Sequence, residues 1–137
     1  LGMIILYTVV NLSLAVWLLK GFMDEIPKEY EEAAMIDGYT RMGAFFKIVL
    51  PQATTGIAAT AIFCMIFAWN EYLFANLLTG TTVKTFPVHI PSFTQGSQTL
   101  WNLVMAFSMV AMIPPVGMFI ILRKYMVRGL SLGVVKG

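Results

Sequence analysis

Glu31-Glu32-Ala33-Ala34-Met35-Ile36-Asp37-Gly38, followed at a distance by Ile48-Val49-Leu50-Pro51, is the stretch around which this chain is organised. Pro27 is pre-set for a first helical turn, and Glu29, Glu31 and Glu32 follow where negative charge suits a helix N-terminus. A helix is therefore expected to begin near Pro27. It is expected to stop at Gly38, because a helix C-terminus commonly closes on a residue of positive φ, which glycine adopts without a side-chain clash. Thr40 is placed to cap a second helix, in which Met42, Phe45, Phe46 and Val49 fall at i, i+3, i+4 and i+7, an apolar stripe that Pro51 breaks. The expected unit is a helix, a glycine elbow and another helix. Between Pro27 and Asp37 stand four acids and one lysine, so the first helix offers a net negative face. Ala33 and Ala34 let a second protein's backbone come close, and Tyr30 supplies a larger apolar contact on the same face. The plainer alternative is a solvated acidic surface helix.

Outward from this loop the chain turns apolar. Its 137 residues are 58% hydrophobic and only 12% charged, with a mean hydropathy of +0.79, which are values of a membrane protein rather than of a soluble core. Three segments, about 1–19, 53–78 and 103–122, reach the roughly 20 residues that a bilayer core takes. The expected fold class is all-α, a polytopic transmembrane helical protein with loops at 20–52 and 79–101 and a tail at 123–137. The chain begins at Leu1 with no charged leader, so no signal peptide is read and the sequence looks like a fragment that starts inside a helix.

Each apolar segment has its own polar interruptions. In the first, Asn11 and Ser13 suit hydrogen bonding between helices, with a pathway lining as the alternative. In the second, Gly56, Ala58, Ala59 and Ala61 favour close helix contact, and Cys64 reads as a small buried hydrophobe. Trp69-Asn70-Glu71-Tyr72 lies toward its far end, and Glu71 is the only acid in any apolar segment. A carboxylate in hydrocarbon is a functional hypothesis by default, yet Glu71 sits about 27 Å along from Ala53, close to the opposite interface. Headgroup-level placement between the anchors Trp69 and Tyr72 and a pathway-lining role for Asn70 and Glu71 both stay open. The third segment carries Pro114-Pro115, a kink whose functional version is a hinge, and Met105, Met109, Met112 and Met118, side chains that repack or simply pack.

The interlude from Thr79 to Trp101 holds Gly80, Thr81, Thr82, Pro87, Pro91, Gly96 and Ser97 and reads as loop. His89, the sole histidine, has no partner spacing for a metal site and reads as an exposed loop residue. Lys84 is the one cation on this side; Lys20, Lys28, Arg41, Lys47, Arg123, Lys124, Arg128 and Lys136 all flank the 20–52 loop and the tail. The positive-inside rule then puts the loop and the C-terminus in the cytoplasm, with anionic lipid as the partner of those cations. The net charge of +2 gives no reason to invoke nucleic acid, and the sequence has no glycine-rich phosphate loop.

With these residues in hand a resemblance can be stated. Glu32-Ala33-Ala34, three residues, Gly38, nine residues, and Ile48-x-Leu50-Pro51 match the cytoplasmic EAA loop of ABC importer permeases at every fixed position. The flanking sequence, from about Trp17 through residues 129–137, looks like the carbohydrate-importer branch of the maltose and glycerol-phosphate type. The resemblance implies that the loop is a coupling helix docking into a groove of an ATPase subunit, with Glu32 meeting a basic group there and Ala33, Ala34, Gly38, Ile48, Leu50 and Pro51 sharing the contact. It implies a second homologous permease subunit and an external solute-binding protein near the 79–101 loop as partners, ATP bound by the ATPase alone with no cofactor in this chain, and 1–137 as the C-terminal part of a permease domain. The tail from Arg128 is either a disordered end or a strand of contact reaching the ATPases. Alternative readings are an importer of amino acids, polyamines or phosphate, a membrane enzyme using Glu71 or His89 as acid or base, and a scaffold subunit.

Overall fold

The computed structural model describes residues 1–80, 83–94 and 99–133, with side chains through Tyr125. All regular structure among the described residues is helical. Helix α1 spans Gly2–Asp24, α2 Glu29–Ile36 and α3 Arg41–Gln52; α4 follows at Thr54–Trp69, α5 at Leu73–Leu78, α6 at Phe86–His89 and α7 at Trp101–Gly133. Two of these, α1 and residues Trp101–Tyr125 of α7, are each long and apolar enough to cross a membrane, and α4 qualifies jointly with α3, bent from it by 67°.

The long helices pack as antiparallel neighbours. Phe22 of α1 lies against Gly56 of α4, and at the other end Tyr7 reaches Glu71 just past α4. Between α4 and α7 the Thr55 hydroxyl donates to the Tyr125 carbonyl at 3.0 Å, and the Trp69 indole donates to the Ala111 carbonyl at 3.0 Å. Small residues make this approach feasible, as expected for Gly56, Ala58 and Ala59, all buried in α4. The buried apolar set is Ala34, Ala44, Ala53, Ala58, Ala59, Ala75 and Val88, while Ile4, Val9, Val16, Trp17, Met109 and Ile113 stand more than half exposed on α1 and α7. Large side chains outside and alanine inside is the reverse of a soluble core and is the arrangement that lipid selects. Asn11 turns its amide N–H back to the Tyr7 carbonyl of its own helix at 2.8 Å, and Cys64 approaches the Asn11 carbonyl at 4.0 Å.

Several elements depart from the sequence reading, each for a local reason. Helix α1 continues past Leu19 to Asp24, where Lys20 and Asp24 pair at 2.7 Å across one turn. Pro27 lies two residues before α2 rather than in its first turn. Pro51 does not end α3, which runs on to Gln52; the bend comes at Ala53, and the Thr54 hydroxyl donates to the Pro51 carbonyl. The 53–78 segment is not one helix, since α4 closes at Trp69 and α5 restarts at Leu73. The interlude is not all loop: α6 and a 3₁₀ turn at Ile90–Thr94 fold back on α7, and His89 sits half-buried among Phe93 and Phe107, with ring centroids 5.1 and 5.4 Å away. Pro114-Pro115 do not interrupt α7, which stays helical through Gly133, beyond the start of the expected disordered end at Arg128. Thr81, Thr82, Gly96, Ser97 and the last residues of the tail, Lys136 included, lie outside the described residues.

A Cβ added to Gly56 falls on the ring of Phe22, well inside van der Waals contact. Gly56→Ala in the full-length protein is expected to lower stability by about 1–3 kcal/mol, the range for overpacking a close contact. Thermal unfolding in detergent checks this, and Phe22→Ala in the same chain is expected to recover most of the loss.

Candidate functional site

Two places gather polar chemistry: the elbow between α2 and α3, and the break between α4 and α5. In the elbow, α2 is too short to hold itself in water and is closed by its ends. Glu29, Glu31 and Glu32 occupy its first turn. At the other end Gly38 takes φ +90°, the only positive φ among the described residues. The Tyr39 amide then bonds the Ala34 carbonyl at 3.1 Å and the Gly38 amide the Met35 carbonyl at 3.1 Å, a Schellman motif. Thr40 caps α3 as its type suggests, accepting from the Gly43 amide at 3.2 Å.

The face that α3 presents differs from the expected stripe. Its middle, Phe45–Val49, is a π turn, which inserts one extra residue per turn and shifts the phase of everything after it. Ala44, fully buried, and Ala34, 5% exposed, pack the two helices together, whereas Met42 is 66% exposed and Phe46 59%. Ala34 is therefore interior to the elbow, and Ala33 alone of the pair faces outward. Ile48 and Leu50 are half-buried and Pro51 is exposed. Arg41 holds Glu31 at 3.1 Å, which removes one acid from the negative face, and Lys47 lies over the Tyr39 ring at 4.9 Å. Glu32 is exposed and makes no ion pair among the described residues. With Ile36 at 87% exposure, the elbow shows apolar and acidic groups side by side on a surface outside the long helices.

At the break, the stretch Trp69-Asn70-Glu71-Tyr72 satisfies a helix end and a helix start within four residues. The Asn70 amide side chain donates to the Ile66 carbonyl of α4 at 2.8 Å. The Glu71 carboxylate accepts from the amides of Phe74 and Ala75 at 2.8 and 2.9 Å and from the Tyr7 hydroxyl at 2.9 Å. It is a helix cap tied to α1, a role the sequence hinted at only through helix-breaking Asn70 and the polar Tyr7, 64 residues away. Asn70 is exposed and lines a cavity of about 420 Å³ with Trp69, Phe86, Met112 and Pro115. Among the described residues no group of three or more His, Cys, Asp or Glu is placed to hold a metal ion.

Against known proteins, residues 1–131 match the family described as the inner membrane component of binding-protein-dependent transport systems. The chain belongs to this family. It is 39% identical over 134 residues to the trehalose/maltose transport system permease protein of Thermococcus litoralis, covering 96% of this chain and 48% of that protein. It is 40% identical over 139 residues to the trehalose transport system permease protein of Mycobacterium tuberculosis, covering 99% of this chain and 51% of that one. An inner membrane ABC transporter permease protein of Escherichia coli is 36% identical over 138 residues, 100% of this chain and 49% of its own length. The chain thus spans about half the length of these curated relatives.

Glu71→Ala leaves two amides of α5 and the Tyr7 hydroxyl without their acceptor, and is expected to lower stability by about 1–2 kcal/mol, the usual cost of a lost helix cap. Glu71→Gln, which keeps one acceptor oxygen, is expected to lose less. Limited proteolysis of the detergent-solubilised full-length protein around residues 70–80 reads the difference.

Proposed function

We propose that this chain is the ATPase-coupling part of a permease subunit in a binding-protein-dependent ABC importer, moving a sugar or sugar derivative across the cytoplasmic membrane. The observation that carries the reading is the elbow, in which Glu32, exposed and without an ion pair among the described residues, and the exposed Ile36 precede a turn fixed by Gly38 at φ +90°. An exposed acid beside exposed apolar surface is suited to a basic, groove-shaped partner. The sugar assignment draws on relatives named as trehalose/maltose and trehalose transport system permeases. The chain acts as a transport subunit, and hydrolysis of ATP belongs to the partner.

In this mechanism the ATPase subunits close on ATP and carry the elbow with them. At the bend between α3 and α4 the Ala53 amide bonds the Val49 carbonyl at 3.0 Å and the Ala53 carbonyl accepts from Ile57 at 2.9 Å, so one residue is tied to both helices. A push on α3 is passed to α4 through this bend. Alternating access then follows as a two-state motion biased by the nucleotide. A second homologous permease subunit completes the pathway, and an extracytoplasmic binding protein delivers the solute. Asn70 is the lining residue and Glu71 holds the break on which it stands. The elbow and the C-terminus face the cytoplasm, where Lys20, Lys28, Arg41, Lys47, Arg123 and Lys124 meet anionic lipid.

Co-purification of the full-length parent protein tests the reading, wild type beside Glu32→Lys and Gly38→Pro. Both variants are expected to remain in the membrane at wild-type level, since neither position lies in a spanning helix. Both are expected to lose the bound ATPase at least about tenfold, through charge reversal in one and loss of the elbow's φ in the other. An ATPase retained by both variants, or absent from the wild type after cross-linking, overturns the coupling role.

A further inference from the structure

In an α-helix the amide of residue i serves the carbonyl of residue i−4, and proline has no amide hydrogen to give. Pro115 therefore deprives the Ala111 carbonyl in the interior of α7. That same carbonyl receives the Trp69 indole N–H at 3.0 Å. The match is specific: indole has one donor and no acceptor, and Trp69 places it on a carbonyl that has lost its own.

Trp69 is also well placed mechanically. It is the last residue of α4, directly before the break, and two residues further on Glu71 is held by Tyr7 of α1 at 2.9 Å. The ring of Trp69 packs against Phe86 at 6.0 Å, and Phe86 against Phe107 of α7 at 6.4 Å. At the opposite end of the pair, Thr55 donates to the Tyr125 carbonyl. From Thr55 to Trp69 and from Ala111 to Tyr125 are 14 residues each (69 − 55 and 125 − 111), about 21 Å of helix, so α4 and α7 are clamped in register at both ends.

We propose that Trp69 is a positioning residue, whose indole supplies the hydrogen bond that Pro115 denies Ala111 and so fixes α7 at its proline site to the broken end of α4. The two helices then move as one body when the coupling loop moves. The functional half of this statement rests on the importer reading; the bond itself does not.

Amide hydrogen exchange of the full-length parent protein in its assembled complex, in lipid nanodiscs with and without ATP, tests both halves. Trp69→Phe keeps a ring and removes the donor. Exchange across residues 112–119 is expected to rise roughly three- to tenfold, the size of one lost hydrogen bond. The change that ATP produces in those residues is expected to shrink in the same variant. Pro115→Ala gives Ala111 an amide donor again, so adding Trp69→Phe to Pro115→Ala is expected to change neither quantity, a non-additivity that loss of packing does not produce. Wild-type exchange in Trp69→Phe, or the same rise in both backgrounds, overturns the proposal. If ATP alters nothing even in the wild type while the exchange pattern holds, the bond stands and the importer reading falls.

Discussion

In hydrocarbon, a helix that stops must have its freed backbone groups answered by the protein itself, because no water is there to do it. Whatever its depth, the break at Trp69-Asn70-Glu71-Tyr72, where α4 ends and α5 begins, has such partners within the protein. Asn70 returns its amide to α4, Glu71 gathers the first amides of α5, and the remaining capacity of the carboxylate is taken by a hydroxyl from α1. Trp69 does the same service for α7. One four-residue stretch therefore satisfies backbone groups of α4, α5 and α7 and is tied to α1 through a side-chain hydroxyl.

The elbow obeys a different constraint. It lies outside the long helices, so its amides are free to meet water, and its ends are closed by ordinary soluble-protein devices: acids in the first turn, a glycine in the left-handed region, a threonine cap. What is unusual there is the surface, with Ile36, Met42 and Phe46 left standing in the open beside Glu32. The bend of 67° at Ala53 joins this unit to α4, and the Ala53 amide and carbonyl are each bonded to one of the two helices it separates.

The elbow was legible from the sequence because its signals are local. Gly38, Thr40 and the acids at the start of α2 each act within a turn or two, and each sits in the structure as its chemistry requires. The all-helical class and the apolar helices were legible from hydropathy for the same reason. What escaped was set at longer range or by geometry that residue types do not encode. The expected α3 stripe rests on a period of 3.6, which presumes an unbroken α-helix, whereas the π turn at Phe45–Val49 shifts Val49 out of phase with Met42 and Phe45. The sequence leaves Glu71 open between a headgroup-level acid and a pathway-lining one, and does not show its capping role, because its partners, Tyr7 above all, are distant in sequence or are main-chain amides. The interlude read as loop because Pro87 and Pro91 look like breakers, yet Pro87 stands in the first turn of α6, where proline is tolerated, and the packing of Phe86, Phe93 and Phe107 draws the segment into helix. At Pro114 and Pro115, residue types alone do not show that a tryptophan from a neighbouring helix answers one of the two carbonyls the prolines orphan.

The composition of the interior has a consequence for how such a chain drifts over generations. Among the described residues the buried apolar positions are alanines and a single valine, and the glycine at 56 has no room for even a methyl group. Large apolar side chains such as Ile4, Leu12, Met109 and Ile121 face outward, where one lipid-soluble side chain serves about as well as another. Substitution is therefore least tolerated at the residues that look least informative, and the shape is held by the smallest side chains.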